Sequence, residues 1–460
     1  MLSQMPSMDP GSPKQRKSSK YELGIVLFIL LLSLAHFTVN LSTLGYIGQD
    51  YQQHTTVLEK TQANGISFAE SSPPALYLVG VAVSKFAPAE WKMEAISSFI
   101  FGLNILVLLG WYQILRVLIP AMLVRLSAFV LIVFLPVRTI HSTVFASDAL
   151  TVIPLLWATV MIVAHVRAQK WWTQLGAAFG VSAACCLGLF TKFTFVLLPA
   201  GCAVIYALWL LRPAPRRWKR SLLITALVGA ILPASLFGLW MWEQMKASNN
   251  LWINNVQEGK GMEWSAVFGL KWQDVELLEG PGFECGQPMK ASEGHSYLPL
   301  LHLGTFSDIW NFFQVPSEEM MQQRTAIRIS FGRQRTPLAE ALTPWSLKLS
   351  IPITLVALLG SLYQMLRAVR ASLKAPTLRT DFICALGILS ACYAAPSIGG
   401  LPYYWAVYIY GFWTPRLVFP SVMAAISLGF SALSDVLPRP LSFALLFYST
   451  ALAALYLLIM

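Results

Sequence analysis

The stretch Glu22–His54, ELGIVLFILLLSLAHFTVNLSTLGYIGQDYQQH, joins an apolar run to a polar heptad. The run covers about 22–43, which is long enough to cross a hydrocarbon core of roughly 30 Å as a helix. The heptad at 48–54 places Asp50 and His54 four residues apart, on one face if the segment is helical. The stretch therefore predicts a membrane helix followed by a candidate functional segment at the membrane surface.

Apolar segments of this kind recur along the whole chain. Hydrophobic residues occupy 56% of the 460 positions, charged residues only 12%, and the mean hydropathy is +0.59. These values exclude a soluble globular protein, and the alternation of a membrane barrel is missing. The sequence therefore predicts an all-α polytopic membrane protein. About eleven transmembrane spans are favoured, and ten or twelve are the alternatives. The predicted spans lie near 22–43, 95–115, 119–136, 149–166, 174–190, 193–211, 221–242, 347–366, 382–397, 416–433 and 441–459.

An odd number of spans assigns every loop to one of two sides of the membrane. The short loops on the side of the N-terminus contain eighteen Lys and Arg residues and only four acids. The positive-inside rule therefore predicts a cytoplasmic N-terminus in a multi-pass protein of the cytoplasmic (inner) membrane. The two long loops, 44–94 and 243–346, then face the periplasm or the exterior, and we expect the active site on that outward face.

This pattern divides the chain into four parts. They are a disordered cytoplasmic tail (1–21), an N-terminal transmembrane catalytic module that includes the first outward loop (22–242), the second outward loop (243–346) and a group of C-terminal transmembrane helices (347–460). The basic residues that give the chain its net charge of +11 lie mainly in short loops. There they indicate the orientation of the spans and not a nucleic-acid partner. Five of the six cysteines lie inside predicted spans, so no disulfide framework is implied.

Two acids on the outward face are candidate site residues. Asp50 follows the first span closely, and a solvated juxtamembrane charge is the alternative interpretation. The double proline in ESSPPALY (70–77) predicts a short re-entrant or surface helix that would hold this loop against the bundle. Asp148 stands at the start of the fourth span, where it either caps the helix, positions a sugar hydroxyl, or shares a divalent cation with Asp50.

Two cations, Lys192 and Arg416, stand at the predicted outer membrane boundary. Each either extends to lipid headgroups or binds a phosphate at the bilayer surface. Lys192 lies between two apolar spans with almost no loop, where burial is costly without an anionic partner. The sequence contains no P-loop, dinucleotide-binding glycine motif, HExxH or CxxC, so a lipid-linked donor is favoured over a sugar nucleotide.

Five short motifs give the chain a resemblance to a known group. In order they are GQDYQQH (48–54), ESSPPALYL (70–78), ASDALTVIP (146–154), LFTKFTFVLLP (189–199) and TPRLVFPSV (414–422). The ordered set resembles the GT-C-type integral membrane glycosyltransferases, in particular the bacterial protein-mannosyltransferase-like (family 39) enzymes and the aminoarabinose transferases that modify lipid A. Tyr51 stands where these families commonly have Glu, and Ser72 where they often have His. Both departures weaken any metal site.

The resemblance implies a GT-C-like fold with juxtamembrane helices in the first outward loop. It also implies sugar transfer from a polyprenyl-phosphate-linked donor to a glycan, lipid or protein acceptor, with inversion and with Asp50 as general base. Lys192 and Arg416, together with Arg138, would stabilise the departing phosphate. Asp148 and His141 would contact the sugar or the acceptor, and Tyr404, with Tyr403 and Tyr408, would either line the donor groove or form an aromatic belt.

Three points stay open at the level of the sequence. The sequence does not decide whether sugar transfer requires a divalent cation, which Asp50 and Asp148 would hold. A transporter or flippase of a lipid-linked substrate, or a non-catalytic subunit of a glycan-assembly complex, is the alternative to an enzyme. The absence of two similar halves in the sequence favours the enzyme over the transporter. We expect His54 to form a hydrogen bond within its loop and not to take part in catalysis.

Overall fold

The computed structural model describes residues 13–44, 51–65, 73–143, 145–248, 272–279, 297–307, 337–407 and 418–460. These residues form helices and contain no strand. The helices before the second long loop are α1 (Pro13–Leu44), α2 (Tyr51–Asn64), α3 (Ala75–Ser84), α4 (Lys92–Leu118), α5 (Met122–Phe134), α6 (Pro136–Thr143), α7 (Val152–Arg167), α8 (Trp171–Thr191), α9 (Leu198–Leu210) and α10 (Arg216–Ser248). Those that follow are α11 (Tyr297–Phe306), α12 (Pro337–Leu355), α13 (Ser361–Lys374), α14 (Leu378–Val407), α15 (Phe419–Val436) and α16 (Arg439–Ile459).

The protein is a multi-pass membrane protein. Nine helical segments of the described ranges are long and apolar enough to cross a membrane, and they coincide with nine of the eleven predicted spans. Outward-facing leucines and phenylalanines cover several of them, as expected for helices in contact with lipid. The other two predicted spans, 119–136 and 193–211, are helical but differ from the prediction.

The predicted span at 119–136 is a broken pair of helices. α5 ends at Phe134, and α6 begins at Pro136 with its axis turned by 51°. A proline cannot donate the hydrogen bond that would continue α5, which explains the break at this position. The pair would cross the membrane as one bent span or return to the surface on which it began.

The predicted span at 193–211 is shorter than a regular membrane helix. It consists of a 3-10 turn, Phe193–Leu197, and α9, and the apolar helical part is limited to Thr194–Leu210. A helix of that length is about 25 Å long, less than the roughly 30 Å of a hydrocarbon core. Lys192 adopts an extended conformation and Pro199 stands in the first turn of α9, so neither continues the preceding helix.

A close contact between backbones joins α15 to the segment between α12 and α13. That segment, Val356–Gly360, is a π-helical turn. A Cβ atom added to Gly429 of α15 would lie 2.3 Å from the backbone oxygen of Val356, and one added to Gly360 would lie 2.9 Å from the Cα of Gly429. Glycine at both positions therefore allows the two helices to pack at a distance that no other residue permits.

We expect Gly429→Ala to lower the melting temperature of the detergent-solubilised protein, because its methyl group must displace the backbone at Val356. Overpacking of this kind costs about 1–3 kcal/mol. Gly102→Ala on α4 is the matched control, since nothing lies within 4 Å of its added Cβ. Thermal unfolding of both variants checks the contact, and a Gly429→Ala protein as stable as Gly102→Ala would contradict it.

Ion pairs join the helix ends on the side of the bundle where α1 begins, which we call the N-terminal face. The Asp381 carboxylate, at the start of α14, accepts hydrogen bonds from Arg212 (2.6 Å) and Arg167 (2.8 Å). It thereby connects α7, the end of α9 and α14. Two further acids are paired in the same way, Asp435 with Arg367 and Arg379, and Glu22 with Arg125.

The second long loop is partly anchored in the bundle. α11 contributes Leu300, Leu303 and Phe306 to the main hydrophobic core and packs on α6 and α12. His302 bonds to the Thr354 hydroxyl (2.9 Å) and donates to the Leu347 carbonyl oxygen (3.0 Å). Burial lowers the pKa of His302, so the neutral imidazole is the form that makes both bonds. α11 is thus inserted among the helices of the bundle.

Candidate functional site

A buried ion pair forms the centre of the candidate site, at the end of the bundle opposite the N-terminal face. Asp148 lies in a 3-10 turn (Ser147–Leu150) directly before α7, and Lys192 directly follows α8. Because α7 and α8 are consecutive and antiparallel, the start of one lies beside the end of the other. The Lys192 ammonium contacts the Asp148 carboxylate, and the two side chains are only 14% and 3% exposed. Two of the candidate residues are therefore direct partners.

Hydrogen bonds to neighbouring helices hold the turn that contains Asp148. The Thr151 hydroxyl donates to the Asp148 carbonyl oxygen (2.7 Å), and the Asn104 amide donates to the Ala149 carbonyl oxygen (3.0 Å). Asn104 is a buried residue of α4, and it also donates to the Ile100 carbonyl oxygen of its own helix (3.0 Å). Asn104 was not among the predicted site residues, although an amide inside an apolar run is a signal of a structural or functional role.

The two helices of the first long loop (44–94) pack against this turn. α2, α3, the start of α4 and residues 145–150 share a second hydrophobic core, separate from the main one. Within it, His54 of α2 is hydrogen-bonded to the Tyr77 hydroxyl of α3 (2.7 Å), and its ring centroid lies 6.1 Å from that of Phe145. The predicted bond of His54 within its own loop is confirmed. The helices α2 and α3 thus contact Phe145, which stands three residues before Asp148 in the sequence.

We expect Tyr77→Phe to destabilise the protein by about 0.5–1.5 kcal/mol, because the His54 imidazole loses a buried hydrogen-bond partner while the packing stays the same. Tyr21→Phe at an exposed position is the control. A double-mutant cycle with His54→Ala, read out by thermal unfolding, isolates the coupling of the two side chains. Additive effects of the two substitutions would show that the hydrogen bond contributes nothing.

α6 carries two further candidates, Arg138 and His141, one turn apart on the same helix. The Arg138 side chain is buried, and its hydrogen bond to the Thr139 hydroxyl is 3.3 Å long. Its Nε and Nη1 atoms have no hydrogen-bond partner among the described residues. The His141 ring stacks on Phe419 at the start of α15, with 6.1 Å between centroids. α6 also contacts the turn that contains Asp148.

Five predicted site residues cannot be placed in this geometry. Asp50, Tyr408 and Arg416 lie outside the described residues, as do the side chains of Tyr403 and Tyr404. In the sequence, Asp50 directly precedes Tyr51, where α2 begins, and Arg416 stands three residues before Phe419, which contacts His141. No group of three or more potential metal ligands exists within the described ranges. A shared site of Asp50 and Asp148 therefore stays a prediction.

The described contacts of Asp148 and Lys192 bear on two of the alternatives named above, helix capping and contact with lipid headgroups. The N-cap of the turn that contains Asp148 is Ala146, which makes no capping bond, and the Asp148 carboxylate contacts Lys192 instead. An ion pair therefore describes Asp148 better than helix capping does. Lys192 is mostly buried and has this carboxylate as a partner, so it does not extend to lipid headgroups as an exposed lysine would.

Comparisons with known proteins place the fold. No protein-family profile and no curated protein matches the sequence. The structure is similar to the apo oligosaccharyltransferase of Archaeoglobus fulgidus, with a TM-score of 0.50, 15% identity, and coverage of 95% of this chain and 55% of that one. It also aligns with ArnT from Cupriavidus metallidurans in the apo state (TM-score 0.41, 14% identity, 90% and 78% coverage) and bound to undecaprenyl phosphate (0.39, 15%, 93% and 78%).

The likeness to the archaeal oligosaccharyltransferase confirms the predicted fold class. At 15% identity it concerns the fold alone, and this chain spans about half of the length of that enzyme. The protein therefore has an all-helical, multi-pass fold similar to that of the archaeal oligosaccharyltransferase, with two short helices in the first long loop.

Proposed function

We propose that the protein is a glycosyltransferase that moves a sugar from a polyprenyl-phosphate-linked donor to an acceptor at the outer face of the cytoplasmic membrane. The observation that carries this proposal is the buried pair of Asp148 and Lys192 against α2 and α3, at one end of a GT-C-type bundle. Charged groups inside a membrane protein are costly, and many of them belong to functional sites.

Asp50 is the general base in this proposal. Four residues separate it from His54, so the two Cα atoms are at most about 14 Å apart. His54 in turn contacts Phe145, three residues before Asp148. Asp50 directly precedes α2 in the sequence, and the contact of α2 with Phe145 supports a common site for the residues of the two motifs.

The reaction is an inverting displacement at the anomeric carbon. The acceptor hydroxyl attacks that carbon, its proton passes to the Asp50 carboxylate, and the bond from the sugar to the lipid phosphate breaks. The phosphate leaves with the bonding electrons. Lys192 and Arg416 stabilise the negative charge that develops on it, and a lysine ammonium has three N–H donors, so a pair with Asp148 does not prevent a contact with phosphate.

Arg138 is a further phosphate ligand in this proposal. A guanidinium carries five N–H donors, and burying its charge without an anionic partner is costly. The long bond to Thr139 and the two nitrogens that lack a partner among the described residues are consistent with an anion binding there. Asp148, His141 and Tyr404 contact the sugar or the acceptor.

We place the N-terminus in the cytoplasm and the site on the outward side. The support for this orientation is the excess of Lys and Arg in the short loops on the N-terminal face. The candidate site lies at the opposite end of the same helices. The donor sugar then reaches the site from the outer leaflet, and the lipid carrier is released there after transfer.

Purified protein in detergent tests the proposal. We expect saturable transfer of labelled sugar from a polyprenyl-phosphate sugar to an envelope glycan or lipid extract, with one polyprenyl phosphate released for each sugar transferred. A flippase would move the intact donor across vesicles without cleaving it, and a non-catalytic subunit would do neither. Either outcome would exclude the proposed activity.

A further inference from the structure

An apolar groove lies between α8, α9 and α10, and Leu189 and Val196, on either side of Lys192 in the sequence, line one part of it. Its volume is about 470 Å³, and residues with small side chains, among them Ala178, Ala203, Ala226 and Ala230, form its walls. Leu223 and Leu227 of α10 line it and are 46% and 60% exposed, so the groove is open to its surroundings. In a membrane, a groove of this kind is filled by a hydrocarbon chain.

The groove continues in helical register into a cluster of cations. On α10 the residues that line it recur at Leu223, Leu227, Ala230 and Ala234. One and two turns before Leu223, the same face of the helix carries Lys219, Arg220 and Arg216. These cations stand at the N-terminal face, where α9 ends and α10 begins.

The cations at the start of α10 differ from four other cations on the N-terminal face. Arg125, Arg167, Arg212 and Arg379 are all paired with acids. Arg216, Lys219 and Arg220 make no ion pair within the described part of the chain, and the two arginines are exposed. The first turn of a long helix adds backbone N–H groups and the positive end of its dipole.

We infer that this groove binds an acidic phospholipid of the leaflet on the N-terminal face, with an acyl chain between α9 and α10 and the headgroup phosphate on Arg216 and Lys219. The excess of positive charge favours an acidic lipid, because a zwitterionic headgroup would place its own ammonium group beside these cations. The position of the cations indicates the leaflet, because they lie at the N-terminal face and Lys192 lies at the opposite end of the bundle. This inference does not depend on the proposed function.

Titration of dioleoylphosphatidylglycerol into the detergent-solubilised protein tests the inference, with dioleoylphosphatidylcholine as the comparison lipid. We expect phosphatidylglycerol to raise the unfolding temperature and to be retained in native mass spectra, and phosphatidylcholine to do neither. Arg216→Gln together with Lys219→Gln should weaken the affinity about thirty-fold, on the scale of one exposed cation at a lipid surface for each substitution.

Two further variants separate this site from general surface charge. Arg217→Gln removes one charge about 100° round the helix from Arg216, so it should weaken binding less than Arg216→Gln does. Ala230→Phe keeps every charge but fills the groove, and it should also abolish retention of the lipid. Equal effects of Arg216→Gln and Arg217→Gln, or equal binding of phosphatidylcholine, would overturn the inference. Displacement of phosphatidylglycerol by undecaprenyl phosphate would assign the groove to the donor lipid instead.

Discussion

The Asp50→Asn variant is expected to lose sugar transfer by about two to four orders of magnitude, which is the usual contribution of a general base. Asparagine keeps the size of the side chain and its polarity, but its amide cannot accept a proton from the attacking hydroxyl at neutral pH. The donor lipid is held by cations elsewhere, so its affinity should stay close to that of the parent protein. The loss should therefore fall on kcat and not on donor binding.

The matched control for this variant is Glu59→Gln. Glu59 is an exposed carboxylate on α2, nine residues after Asp50 in the same loop, and its substitution also removes one negative charge. We expect this protein to transfer sugar at the parental rate. Single-turnover transfer and donor binding should be measured for both variants at equal concentrations of folded protein. Full activity of Asp50→Asn would remove Asp50 from the mechanism.

The fold was largely predictable because apolar length is a strong local signal. Each of the eleven apolar segments predicted from the sequence contains helix, and the polar, proline-containing loop after the first span forms two juxtamembrane helices. The differences arise where local geometry competes with composition. Pro136 interrupts an apolar run that hydropathy alone treats as one helix, and the extended Lys192 shortens the next such run.

The candidate site was predictable as a set of residues but not as an arrangement. Asp148 and Lys192 are 44 residues apart, and a single sequence contains no sign that one neutralises the other. The contact depends on how α7 and α8 form a hairpin, which is a tertiary property. The same holds for Asn104, whose bond to the turn of Asp148 crosses 45 residues. The sequence therefore predicted which charged residues belong to the candidate site, whereas their partners depend on how the helices pack.

The pair of Asp148 and Lys192 leads to the second prediction with a large effect. Asp148→Asn leaves the Lys192 ammonium in a mostly buried position without this counter-charge, and breaking a buried ion pair from one side costs about 3–5 kcal/mol. We expect a clear fall in the unfolding temperature. The double variant Asp148→Asn with Lys192→Gln removes both charges, so it should recover most of the lost stability.

Sugar transfer should not recover with the stability of the double variant. If Lys192 stabilises the departing phosphate, the stable protein without this cation still lacks a group that acts on the transition state, and a deficit of about a hundred-fold is expected. The control is the pair of Arg212 and Asp381 on the N-terminal face, which is equally buried. There, Asp381→Asn should destabilise the protein, while the fraction that stays folded transfers sugar normally. If the double variant of Asp148 and Lys192 recovered sugar transfer as well as stability, the pair would have a structural role only. The phosphate would then be bound by the arginines.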